Sequence, residues 1–323
     1  MSEFLPVSKS DMEERGWDAC DFILITGDAY VDHPSFGAAV ISRYLEHAGY
    51  RVGIISQPDW RTVDGFKILG KPKLAFLITA GNVDSMVAHY TAAQKPRSKD
   101  LYSPGGRAGL RPNRASIVYS AMAKQAYKGV PVILGGLEAS LRRLSHYDYW
   151  QDKVRRSILL DAKADILVYG MGERAIAEIA ERLAASTRAE SIRDVRGTVV
   201  QIPDPDAVTG ALILPSYEEV STDKRSFAES FRIQYRNTDP FTGKPLLERS
   251  GDQWLLQNPP AIPLSRGELD TVYELPYTRS FHPMYSTAGG VPAAEEVSFS
   301  LTSSRGCFGE CSFCSLTFHQ GRI

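Results

Sequence analysis

Between Asp21 and Ser186 short apolar runs alternate with segments of helical periodicity. The runs Phe22–Thr26, Arg51–Ser56, Leu74–Thr79, Val130–Leu134 and Asp165–Tyr169 are rich in Val, Ile and Leu and show little polar alternation. That is the pattern of strands covered on both faces. Between them, Gly37–Ala48 sets Ile41, Tyr44, Leu45 and Ala48 on one stripe. Ala115–Tyr127 does the same with Val118, Ala121, Met122 and Gln125, and Arg174–Ala185 with Ile176, Ile179, Ala180 and Leu183. Gly49 and Gly129 stand where helices close on a left-handed residue.

Strand and helix repeated with short links predict an α/β fold. Residues 21–186 read as a doubly wound, flavodoxin-like (Rossmann-like) parallel sheet of five strands, preceded by a tail over 1–20. Two stretches interrupt the pattern. Ala92–Arg114 is a long loop with Lys95, Arg97, Lys99, Arg107, Arg111 and Arg114 against one acid, Asp100; loops of that length inside a domain are usually functional or mobile. His146–Ala162 reads as an additional basic, aromatic-rich helix. Residues 187–294 read as an extension and connector. Within it, Ile192–Ile202 holds a strand or two, Tyr217–Asn237 a polar helix with Phe227, Phe231 and Tyr235 at apolar spacing, and Gln257–Pro263 and Leu275–Pro283 proline-punctuated links. Val297–Leu301 is predicted to be a strand, opening a last region over 295–323.

Composition narrows the class. Lys plus Arg number 37 against 38 Asp plus Glu, so nucleic-acid binding would need a local patch rather than a basic chain. Met1–Trp17 is charged and lacks the apolar core of a secretory leader, and the longest apolar stretches are strand-sized. A soluble, cytoplasmic protein is expected. The cysteines agree: Cys20 stands alone, and Cys307, Cys311 and Cys314 fall within eight residues, a spacing that suits a metal in a reducing compartment better than a disulfide scaffold.

Ser304-Arg-Gly-Cys-Phe-Gly-Glu-Cys-Ser-Phe-Cys314 has the pattern C-x3-C-x2-C behind a predicted strand. Three thiolates so close can hold three corners of a [4Fe–4S] cluster, leaving the fourth iron open to an outside ligand. Gly306 and Gly309 allow the backbone to wrap tightly. Here the sequence resembles the radical S-adenosylmethionine (SAM) superfamily, with its C-x3-C-x-Φ-C loop after the first strand of a partial β/α barrel. The resemblance implies that Cys307, Cys311 and Cys314 ligate three irons while SAM chelates the fourth. It further implies that Phe313, at the aromatic position, packs against the adenine. One electron would then cleave SAM to methionine and a 5′-deoxyadenosyl radical that abstracts hydrogen from a substrate, whose identity stays unknown. An electron donor such as flavodoxin or ferredoxin is expected.

Upstream, Tyr102-Ser-Pro-Gly-Gly106, Gly135-Gly-Leu-Glu-Ala-Ser-Leu-Arg-Arg143 and His146–Trp150 resemble the YgiQ-type radical SAM proteins, which extends the likeness over nearly the whole chain. These segments add family identity but no assigned chemistry. Only nine residues follow Cys314, too few for a barrel. Residues 295–323 are therefore expected to be the start of a radical SAM core completed elsewhere, able to supply cluster ligands but not to complete SAM cleavage alone.

Other readings stand beside these. His319 would complete a Cys3His zinc site, giving a non-enzymatic α/β binding module with a zinc-stabilised tail. Gly170-Met-Gly-Glu-Arg-Ala175 fits G-x-G-x-x-A, which can seat a pyrophosphate, although tight strand-to-helix packing explains it as well. Asp28, Asp32 and His33 follow the first strand, where upstream cobalamin domains bind their cofactor. The spacing departs from Asp-x-His-x-x-Gly, so a helix cap by Asp32 or Ser35 is the plainer expectation, with cobalamin bound without a protein histidine left open. The basic loop can hold phosphate or nucleic acid, or simply be solvated, and His146–Trp150 can stack bases or pack between elements. His47, His89 and His282 read as surface or packing residues, and Cys20 as an inert thiol.

Overall fold

Four of the five predicted apolar runs lie side by side and parallel in the computed structural model, which describes residues 3–309 and 311–321. They are β1 (Phe22–Thr26), β2 (Val52–Ser56), β3 (Ala75–Thr79) and β4 (Val132–Leu134). Leu24 of β1 faces Ile54 of β2 on one side and Leu77 of β3 on the other, and β3 pairs in turn with β4. The chain thus leaves β1 towards β2 and returns to the opposite side with β3, the reversal that marks the switch point of a doubly wound sheet. Every residue of β1 is buried, which is why its sequence is apolar without alternation.

The chain divides into two compact units, residues 1–138 with 264–303, and residues 139–263 with 304–323. In the first, helix α1 (Gly37–His47) buries Ala39, Val40, Ser42, Arg43 and Leu45, while Ala48 is exposed. Of the predicted stripe Leu45 is buried and Ile41 and Tyr44 are half-buried, Tyr44 against the core, while Arg43 also turns in to pair with Asp32. Helix α2 (Ala115–Ala126) is rotated from expectation: Ala115, Ser116, Tyr119, Ser120 and Ala123 are buried and Ala121 is exposed. Its small side chains allow close approach, and Tyr119 packs against Phe66. The supposed connector is part of this core. Val272, Tyr277, Tyr285 and Val291 pack with Tyr30, Val31, Phe36 and Ile54, and Ser280–Phe281 pairs antiparallel with Val31–Asp32.

No strand forms at Val297–Leu301. Pro292 in the first turn starts a helix, Pro292–Val297, whose Ala and Glu residues favour that state. Phe299 and Leu301 beyond it are exposed.

In the second unit, β5 (Ile166–Val168) and β6 (Thr198–Ile202) are antiparallel. β6 pairs antiparallel with β8 (Gln253–Gln257), the second arm of a hairpin begun by β7 (Leu246–Ser250). Helix α3 (Glu173–Ala184) buries the expected Ile176, Ile179, Ala180 and Leu183. The polar helix is split at Asp223, which caps α4 (Lys224–Arg236) through the N–H groups of Arg225 and Ser226. His146–Ala162 is not a helix. His146–Asp148 and Lys153–Arg155 form a hairpin, turned by the Asp148 carboxylate accepting from the Trp150 and Gln151 N–H groups, and only Ile158–Asp161 is helical. Among the described residues no helix is long and apolar enough to cross a membrane.

Candidate functional site

The cysteine loop is built around a neck. The Cys307 N–H donates to the Gly321 carbonyl at 3.1 Å and the Gly306 N–H to Gln320 Oε1 at 3.0 Å, so the two ends of the segment meet. All three thiols are free; Cys311 is exposed, Cys307 and Cys314 half-buried. Gly306 takes φ +76°, and the Gly309 N–H donates to Cys307 Sγ at 3.4 Å. A side chain at Gly309 would place its Cβ 3.3 Å from that sulfur, so the tight wrapping inferred for both glycines is used. Cys314 is the N-cap of helix α5 (Ser315–Gln320). The N–H groups of Thr317 and Leu316 there hold its thiol below the usual cysteine range. Glu310, inside the motif, lies outside the described residues.

The loop has two anchors in the second unit. At its entry, Arg305 Nη1 pairs with Glu173 Oε1 at 2.5 Å, at the N-terminus of α3. At its exit, His319 Nδ1 and Ser140 Oγ are 2.9 Å apart, and Phe318 packs against Phe231 and Tyr235 of α4, ring centroids 5.6 and 6.3 Å away. Ser140 Oγ also accepts the Gly170 N–H at 3.1 Å. Beneath Phe318 lies Arg143, its guanidinium 4.8 Å from the Tyr169 ring centroid and 5.9 Å from that of Phe318. Arg143 donates to Gln257 Oε1 and to the Ser140 carbonyl. Burial lowers its pKa from the usual arginine value.

A thiol set of this kind suits iron–sulfur chemistry: three sulfur donors on one short, glycine-flexed loop, one of them biased towards thiolate. The sulfurs are not gathered, since among the described residues no three Cys, His, Asp or Glu side chains stand close enough together to hold a metal ion. The zinc alternative loses its fourth ligand. His319 Nδ1 lies 2.9 Å from Ser140 Oγ, and among the described residues no metal-holding group forms. Phe313 is 89% exposed, so its adenine contact stays an inference from resemblance.

A family model described as "Radical SAM N-terminal" matches residues 4–300. The chain belongs to the radical SAM N-terminal family. It is 54% identical over 321 residues to a UPF0313 protein of Clostridium botulinum (strain ATCC 19397 / Type A), covering 99% of this chain and 50% of that protein. To a UPF0313 protein of Clostridium perfringens (strain 13 / Type A) it is 55% identical over 323 residues, 100% of this chain and 49% of the other. The chain spans about half the length of these relatives. Among solved structures it is similar to TsrM, a radical S-adenosylmethionine methyltransferase from Kitasatospora setae. The identity is 15% and the TM-score 0.38, covering 57% of this chain and 27% of TsrM in the structure with cobalamin and a [4Fe–4S] cluster bound. The match to the radical SAM N-terminal family stops at residue 300, ahead of the cysteines.

In the first unit, the residues singled out after β1 lie at the strand ends with the long basic loop. Arg111, from the long basic loop, is fully buried there. Its Nη1 lies 2.8 Å from Asp28 Oδ1 and donates to the Ala80 carbonyl, while Nε and Nη2 grip the Asp100 carboxylate. Burial opposes that charge, but Asp28 and Asp100 outweigh it and raise the Arg111 pKa. Close packing is enforced by glycine: a Cβ on Gly81 would fall 2.1 Å from Asp28 Oδ1, and one on Gly136 2.4 Å from Thr79 Oγ1. Asp32 is held by Arg43 (Nη2–Oδ2 2.5 Å) and accepts the Thr278 N–H. His33 is buried, with Nδ1 accepting from the Ser35 N–H. Neither Asp32 nor Ser35 caps α1, whose N-cap is Phe36. The ends of these strands are thus occupied by Arg111 and its carboxylates. Lys95, Arg97, Lys99 and Arg107 of the same loop are exposed.

Sequence reasoning singled out the three cysteines but missed Arg111, Glu173 and Arg143 as fixed charges. The basic loop's lone acid, Asp100, was the available signal for the first. Nothing local to the sequence announces the other two: Glu173 meets Arg305 132 positions away, and Arg143 reaches Gln257 114 positions away.

Proposed function

We propose that this chain carries the cluster-binding loop and N-terminal α/β scaffold of a radical SAM enzyme. The observation that supports this best is the set of three free thiols, Cys307, Cys311 and Cys314, on a loop closed at its neck, with Cys314 at the head of a helix. Cys307, Cys311 and Cys314 are the residues that would hold a [4Fe–4S] cluster. When bound, that cluster supplies the electron for reductive cleavage of SAM. The chain's own residues bind and orient: the glycines at 306 and 309 let the backbone turn, the Leu316 and Thr317 N–H groups favour Cys314 as thiolate, and Phe313 is free to meet the adenine. The electron would come from a small donor such as flavodoxin or ferredoxin. The substrate is an unactivated C–H compound that the site's residues do not name.

SAM cleavage belongs to the whole protein, of which relatives twice this length are the guide. The test is 5′-deoxyadenosine formation from SAM under reducing, anaerobic conditions by a full-length relative. The expected result is product that disappears when the cysteine matching Cys311 becomes Ala. Product formed equally well by that variant would exclude the reading.

A further inference from the structure

Two turns upstream of the cysteines have no chemistry of their own, yet both touch the cysteine loop. One is the last turn of the short helix Gly136–Leu141 and the residues after it, which supply Ser140 and Arg143. The other is Gly170–Ala175, the G-x-G-x-x-A turn, whose Glu173 meets Arg305. We propose that these two turns are the seat of the cluster loop, with Glu173, Ser140 and Arg143 as positioning residues. The proposal rests on the cluster reading of the three thiols.

Glu173 is 3% exposed, and its second oxygen, Oε2, has no hydrogen-bond partner. A carboxylate so withdrawn from water needs a cation. Arg305, two residues before Cys307, supplies it and also lies 3.5 Å from Met171 Sδ. The entry to the loop is therefore pinned by a desolvated ion pair rather than by a surface one. The exit is pinned by neutral contacts. Ser140 Oγ meets His319 Nδ1 on one side and the Gly170 N–H on the other, tying the two turns to each other and to α5. Gly170 has φ +75°, and a Cβ there would come within 3.2 Å of the His319 carbonyl oxygen, so only glycine lets the turn lie this close. The same facts dispose of a pyrophosphate role: the Gly170 N–H is spent on Ser140, and a buried carboxylate occupies the start of α3. Arg143 completes the floor, its planar guanidinium between Tyr169 and Phe318.

Three thiols on a flexible loop must converge on one object, and the conformational entropy lost on convergence falls when both ends of the loop are already fixed. The seat does this work from outside the loop. It also gives the Gly135–Arg143 segment a reason to have its Ser and Arg three residues apart.

Hydrogen–deuterium exchange on the metal-free chain tests the seat independently of any cluster, using wild type, Glu173→Gln and the milder Ser140→Ala. The expected result is roughly tenfold or faster exchange over residues 305–321 in both variants, with α3 and β6 unchanged. Anaerobic reconstitution of the same proteins should show iron occupancy lowered about threefold or more, and an altered EPR spectrum in the reduced cluster that remains. Exchange over 305–321 equal to wild type in both variants would overturn the proposal, as would full iron occupancy with an unchanged spectrum. A wild-type chain that takes up no iron, while its variants still exchange faster, would remove the cluster reading and leave the seat standing.

Discussion

Arg111 and Arg143 are both withdrawn from solvent, and they are accommodated in opposite ways. Arg111 sits between two carboxylates, Asp28 and Asp100. Arg143 has an amide oxygen, a carbonyl and two aromatic faces. Arg111→Met should therefore strand two buried carboxylates and cost about 3–5 kcal/mol in urea unfolding at pH 7. Arg143→Met removes a charge that burial already disfavours, and should cost less, on the order of 1–2 kcal/mol, for the hydrogen bonds lost. Equal losses would show that these environments do not govern the two charges. The cysteines divide similarly. Burial pushes the Cys20 thiol up to about 12, whereas helix N–H groups hold Cys314 below the usual range. In the metal-free protein Cys314 should alkylate with its half-maximal rate at a lower pH than an ordinary thiol, and Cys20 only after unfolding. Mass spectrometry of iodoacetamide-treated protein across pH 6–10 reads both (the pH window brackets the ordinary thiol pKa of about 8.5).

At the scale of elements, what was legible was what local pattern determines. The runs behind β1 to β5 are apolar because their strands are covered, and α3 buries the stripe its periodicity announces. Where a distant partner decides, pattern reading failed. α2 turns Tyr119 onto Phe66 and exposes Ala121 of its predicted stripe, whereas α1 keeps Leu45 inward and adds the buried Arg43–Asp32 pair. Val297–Leu301 has strand-like residues but follows a proline-started helix. The β7–β8 hairpin was missed although Gly251-Asp252, with Gly251 at φ +58°, is a two-residue hairpin signal. That hairpin carries a titrating group. Glu248 of β7 is buried and accepts the Ser145 N–H with both oxygens, and burial pushes its pKa up to about 7. An acid with a higher pKa folded than unfolded keeps its proton longer in the folded chain, so it lowers stability as pH rises from the ordinary glutamate value through about 7. Glu248→Gln should thus gain on the order of 1–3 kcal/mol at pH 8 and nearly nothing at pH 4. Denaturant unfolding at both pH values measures this, and a gain independent of pH would contradict it.

At the scale of the whole molecule, the cysteine motif was the most legible feature and its seat the least. Three thiols at C-x3-C-x2-C announce themselves in eight residues, whereas the Glu173–Arg305 contact spans 132 positions and exists only once the chain has folded. Phe308 and Phe313, on the cysteine loop, are exposed by 93% and 89%. The most direct test of the central claim is anaerobic reconstitution of this chain with iron and sulfide, followed by metal and sulfide analysis. The account predicts about four irons and four sulfides per chain, with charge-transfer absorbance that is lost in Cys311→Ala. A colourless protein that takes up no iron, or that binds zinc instead in equal amount, would contradict it.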